Sequence, residues 1–238
     1  MPANTTLPTT DYSSADNQVW SILFDRQLPS VKQYAYAQFM PGLEVLKFSP
    51  SCIPDFPATN RRLSELNGWS IYPVPGLISN TDFFMAMADK NFGVTGWIRK
   101  MEQLDYLEEP DLFHDVFGHV PLLADMRIAN FLLGLADIAR RHIQKDVVIE
   151  AIARVYWYTI EFGLVHENSS LKIFGAGILS SIAETKFVMS PAANHQDFDL
   201  ETILITPYIK DRFQEQYFVL DSIEQLNSIL NQLENQFS

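Results

Sequence analysis

Cysteine is almost missing from this chain. Cys52 is the only one in 238 residues, so no intrachain disulfide can form, and a reducing compartment, the cytoplasm, is the expected location. Basic residues are also scarce, with 17 Lys and Arg against 29 Asp and Glu and a formal net charge of -12. That balance leaves no basic face for nucleic acid or for an anionic membrane surface. No apolar run reaches the roughly 18 to 20 residues that a membrane-spanning helix requires. Met1 to Thr10 is rich in Thr, Pro and Asn and has neither a basic flank nor an apolar core, so it does not read as a signal peptide. Internal repeats, low-complexity blocks and a Pro/Gly/Ser linker are lacking too. The expected organisation is a flexible N-terminal tail over residues 1–14 and a single domain over residues 15–238.

What is present is a large apolar inventory: 47% hydrophobic and 13% aromatic residues, enough for a sizeable core. Helical periodicity dominates. Val19, Trp20, Leu23 and Phe24 open one helix, which Pro29 is expected to interrupt. A second helical segment is expected over Tyr34 to Phe39, stopped by Pro41-Gly42. Others are expected over about 58–66, from Ser79 or Asn80 onward, over 125–144, over 147–162 and near 178–187. A loop is expected around Asn168 to Gly177. Thr202 to Thr206 and Tyr217 to Leu220 read as β-type runs that pair as a small antiparallel ribbon. A final helix is expected to start at the capping box Asp221-Ser-Ile-Glu224. The fold class is therefore mainly α (α+β), helical with a small ribbon.

The stretch Asp111-Leu-Phe-His114-Asp-Val-Phe-Gly118-His119-Val-Pro-Leu-Leu123 places two imidazoles in an otherwise apolar run. Two core histidines bonded to carbonyls would account for it, but paired imidazoles are also the commonest metal donors. Glu161 lies in Tyr156-Trp-Tyr-Thr-Ile-Glu161-Phe-Gly-Leu164, among apolar and aromatic neighbours. Burying that carboxylate is costly unless a cation holds it, either Arg154 seven residues back or a metal. Two histidines and a carboxylate with open positions suit non-haem ferrous iron or hydrolytic zinc. Zinc proteases use His-Glu-x-x-His, a four-residue step; here the step is five, with Asp115 where a protease would hold its general base. An ideal α-helix would turn these two rings apart, so Gly118 is expected to mark an irregular turn.

Pro110 to Leu122 strongly resembles the iron-binding motif of the pterin-dependent aromatic amino acid hydroxylases, and Tyr156 to Leu164 resembles their third-ligand helix. Pro73-Val-Pro-Gly76-Leu-Ile-Ser79 with Asp82-Phe83, and Phe174-Gly-Ala-Gly177-Ile-Leu-Ser180-Ser181 with Glu184, match in the same order. The approach Leu104-Asp-Tyr-Leu-Glu-Glu-Pro110 looks like that of the bacterial phenylalanine 4-hydroxylases. The resemblance implies a helical catalytic domain using Fe(II), dioxygen and a tetrahydropterin to convert L-phenylalanine to L-tyrosine. The same chemistry on tryptophan or tyrosine is the alternative, with a zinc hydrolase more remote. By motif position, His114, His119 and Glu161 would be the iron ligands. Arg99 would pair with the substrate carboxylate, and Trp157, Gly177 and Ser180 would line the amino-acid pocket. Gly76, Leu77, Ile78 and Phe83 would form the pterin site, with Tyr156 closing it and Asp115 reaching the pterin through water. Leu107, Gly93 and Asn80 depart from the threonine, histidine and serine of the animal enzymes. A pterin-recycling enzyme is the implied partner, and a monomer is the expected state.

Overall fold

The computed structural model describes residues 11–238 except 106, 108, 210 and 211. Most of the expected tail, residues 1–10, lies outside the described residues. Helix Ser14–Tyr34 begins at a reciprocal capping box in which Ser13 and Asp16 bond each other's backbone N–H. It runs through Pro29 instead of stopping there. Pro29 and Asp25, whose carbonyl loses its helical partner, are exposed, and Trp20, Leu23, Phe24, Gln27 and Val31 bury the opposite face. The expected segment over 34–39 is replaced by helix Phe39–Leu46, which takes Pro41 into its first turn, where a missing N–H costs nothing. Helix Phe56–Asn67 ends at Gly68, with φ of +80°, as Asn67-Gly68 suggested.

Strands β1 (Ser70–Val74) and β2 (Asn91–Thr95) pair in parallel, and helix Asn80–Ala88, capped by Ser79, crosses between them. Helix Met126–Arg141, capped by Asp125, and helix Asp146–Tyr156 supply the densest apolar layer. Helices Ala176–Leu179 and Ile182–Val188 divide the single helix expected near 178–187.

The ribbon sits elsewhere than expected. β3 (Leu164–Glu167) and β4 (Ser170–Ile173) form the antiparallel pair, joined by Asn168 and Ser169, both at positive φ (48° and 62°). Two left-handed residues in a two-residue loop match the twist of a hairpin. Residues Leu200–Ile205 are helical, not extended: the Asp199 carboxylate accepts from the Thr202 N–H at 2.8 Å, and this cap overrides the β-branched composition. β6 (Tyr217–Leu220) pairs in parallel with β3 on one side and with β5 (His195–Asp197) on the other, giving the order β4-β3-β6-β5. The last helix runs over Gln225–Phe237. Its expected box does not form, because the Asp221 N–H bonds the Gln225 side chain. The buried apolar residues, from Val19 to Leu233, make one contiguous core. No described helix is long and apolar enough to cross a membrane.

Candidate metal centre and its cavity

The two-histidine stretch is a π-helical segment over Phe113–His119. Hydrogen bonds that reach five residues back bring residues five apart onto one side, so the step that would separate the rings on an α-helix unites them here. His114 Nε2 and His119 Nε2 lie 3.3 Å apart. Gly118 has a different reason for being glycine than the irregular turn itself: a Cβ there would stand 2.9 Å from the Ala176 carbonyl oxygen. Its absence lets the turn that carries Ser180 press against the segment. The long helix that starts at Asp146 also ends in a π-helical turn, Trp157–Glu161. That turn points Glu161 at the imidazoles, with Oε1 3.0 Å from His114 Nε2 and Oε2 3.0 Å from His119 Nε2. Arg154 donates to the Leu204 carbonyl and is not the carboxylate's partner.

Burial pushes the Glu161 carboxyl upward, but the imidazoles of His119 and His114 outweigh it and hold the group well below the usual carboxylate range. Burial lowers His114; the Glu161 charge beside it prevails and pushes it up to about 9. One donor atom from each of the three residues falls within a 4.8 Å cluster. This donor set fits a divalent cation. Two imidazole nitrogens facing each other at 3.3 Å need a positive charge between them and the carboxylate, and a metal supplies it with both rings neutral. His114 Nδ1 lies 2.9 Å from Ser180 Oγ, so a ring ligating through Nε2 donates its Nδ1–H to that hydroxyl.

The cluster stands in the wall of a cavity of about 730 Å3. All thirteen residues singled out in the sequence line it. The lining includes Gly76, Leu77, Ile78 and Phe83, whose ring meets Tyr156 edge-on at 5.1 Å. Asp115 accepts from the Thr95 N–H at 2.6 Å, and its burial raises its pKa. Arg99, Trp157, Gly177 and Ser180 line the same cavity. Gly177 also serves packing, since a Cβ there would stand 3.0 Å from the Glu161 carbonyl oxygen. Arg99 forms two bonds of 2.9 Å, from Nε and Nη2, to Asp111, whose side chain is wholly buried. Burial raises Asp111, and the Arg99 guanidinium reverses this and lowers it.

Three contributors escaped the sequence reading. Asp111 was visible as the start of the motif but not as the holder of Arg99. Tyr208 stacks on Trp157 at 4.6 Å, and Gln214 accepts from the Trp157 indole at 3.0 Å. Both come from the connection before β6, where no periodicity or motif marks them.

Residues 2–238 match the family model of biopterin-dependent aromatic amino acid hydroxylases. Phenylalanine-4-hydroxylase of Caulobacter vibrioides is 42% identical over 219 residues, 92% of this chain and 74% of that protein. A structure of Chromobacterium violaceum phenylalanine hydroxylase with bound iron(III) and oxidised 7,8-dihydrobiopterin superposes with a TM-score of 0.89. It is 40% identical and covers 97% of this chain and 84% of that one. The cold-active phenylalanine hydroxylase of Colwellia psychrerythraea 34H gives 0.89 at 34% identity, covering 94% and 87%. Membership sets aside the zinc-hydrolase alternative raised by ligand types alone: the chain belongs to the biopterin-dependent aromatic amino acid hydroxylase family.

Proposed function

We propose that this chain is an iron- and tetrahydropterin-dependent monooxygenase that hydroxylates L-phenylalanine to L-tyrosine. The observation that carries the reading is the convergence of two imidazoles and a carboxylate on the wall of one cavity large enough for two small molecules. The relatives named above are phenylalanine hydroxylases. Bound iron and tetrahydropterin together supply the reduction of dioxygen that delivers one oxygen atom to the aromatic ring.

The protein's own part is holding and sheltering. His114, His119 and Glu161 would hold the metal at the cavity wall. Arg99, already aligned by Asp111, presents its remaining donors to the substrate carboxylate, which the planar guanidinium suits better than a lysine would. Trp157 walls the amino-acid end, with Gly177 and Ser180 beside it. Phe83 and Tyr156 enclose the pterin end, where Gly76, Leu77 and Ile78 provide the loop and Asp115 a carboxylate. These aromatic walls exclude water, so the oxidant meets the ring. Residues 15–238 act as one catalytic domain, and the protein works in the cytoplasm as a monomer alongside an enzyme that recycles the pterin.

The test is direct. Protein loaded anaerobically with ferrous iron makes tyrosine from phenylalanine only when tetrahydropterin and air are both supplied. Tyrosine formed without pterin would sink the reading. A competition among phenylalanine, tyrosine and tryptophan, with products read by mass, settles substrate choice.

A further inference from the structure

The connection from Thr206 to β6 is fastened to the cavity wall by one side chain. Gln214 is only 4% exposed. Its Oε1 accepts from Trp157 Nε1 at 3.0 Å, and its Nε2 donates to the Ile209 carbonyl at 2.7 Å. The amide orientation follows from chemistry: an indole can only donate, so the amide oxygen must face it and the NH2 is left for the carbonyl. Behind the side chain, the Tyr217 hydroxyl bonds the buried Glu184 carboxyl. The indole fixed in this way has two aromatic neighbours. Tyr208 stacks on it at 4.6 Å and 26°, and Phe162 tilts against it at 4.9 Å.

We propose that Gln214 is a positioning residue for the aromatic substrate. It locks the plane of Trp157, and through that indole sets the width of the slot in which the substrate ring lies. This rests on the reading of Trp157 as the wall of the amino-acid end. Gln214 lines the same cavity but hydrogen-bonds none of the three proposed metal ligands, and its role runs through the indole N–H. A residue that merely braced the connection would act whether or not Trp157 were present.

A double-mutant cycle separates the two. Gln214→Met keeps length and bulk but removes the bond to the indole and the two to the Ile209 backbone. In the otherwise native ferrous enzyme it raises KM for phenylalanine, and the Kd from anaerobic calorimetry, roughly tenfold, the worth of one well-made buried hydrogen bond, while kcat changes less than about twofold. In a Trp157→Phe background the same substitution changes both constants by less than about twofold. Equal losses in both backgrounds, or no loss in the native background, would each overturn the proposal. If the unsubstituted protein neither binds nor hydroxylates phenylalanine, the functional reading fails instead. The latch is then decided by hydrogen exchange of the Trp157 indole N–H in protein carrying isotope-labelled tryptophan. Protection in the native chain that is lost in Gln214→Met supports it, and equal exchange in both overturns it.

Discussion

The two histidines of the proposed iron site share a segment and a spacing but are held by different physics. His114 is tied by a directional contact, 2.9 Å from Nδ1 to Ser180 Oγ, and its side chain is 15% exposed. His119 is 4% exposed, and its Nδ1 is buried with no hydrogen-bond partner among the described residues. Packing holds it: Phe92 lies 5.2 Å from its ring and Tyr156 stacks at 6.2 Å and 24°. A hydrogen bond fixes both ring position and tautomer, whereas packing fixes position alone. His114 is thus the chemically tuned ligand and His119 the sterically placed one.

The largest expected effect removes what the two have in common. Glu161→Ala takes away the carboxylate that both imidazoles face at 3.0 Å. Iron affinity should fall by more than the roughly 10–100-fold that outer partners of a metal ligand are worth, and tyrosine formation should cease. Unchanged iron retention after dialysis would mean that Glu161 is not a ligand. Gly118→Ala comes next. Its new Cβ would press on Ala176 at 2.9 Å from the carbonyl oxygen and 3.1 Å from the side chain, four residues before Ser180. Overpacking of this kind costs about 1–3 kcal/mol, visible as a lowered unfolding midpoint. It should displace the anchor of His114 and leave the Phe92 contact of His119 in place. An unaltered midpoint would show that the turn yields freely.

How far the sequence foretold this arrangement follows the same division between local chemistry and long-range packing. The three donors that the structure brings together were legible because a carboxylate among aromatic neighbours and imidazoles in an apolar run demand explanation from their immediate surroundings. The five-residue step even announced a departure from the α-helix, though only the structure shows the π-helical turn that makes it work, and a second one under Glu161. The N-cap at Ser79, one of two candidates, and the end at Gly68 were legible for the same reason: each acts within a few residues. What failed depended on partners far along the chain. Pro29 continues a helix because its other face is buried, and Tyr217 to Leu220 pairs with strands whose order no local pattern encodes. Thr202 to Ile205 was misread as extended from its β-branched content, whereas Asp199 caps a helix there. Gln214, 57 residues from Trp157, has no local signature at all.

The sharpest test of the contrast between the histidines uses the two smallest changes. Ser180→Ala removes one hydroxyl and leaves the His114 Nδ1–H without its acceptor. The metal affinity should drop about 10–100-fold with little change in fold stability, because the ring loses its tautomer preference while the surrounding contacts remain. Phe92→Leu withdraws the aromatic face beside His119, a contact worth about 0.5–1.5 kcal/mol, within a fully apolar surrounding. That loss belongs to the folded chain as a whole, so it should appear in the unfolding midpoint, with iron affinity changed by less than about threefold. The two variants should therefore part company on two axes, one losing metal and the other losing stability. Should Phe92→Leu cost as much iron affinity as Ser180→Ala, packing would tune the metal as strongly as the hydrogen bond does, and the two ligands would be held by equivalent means after all.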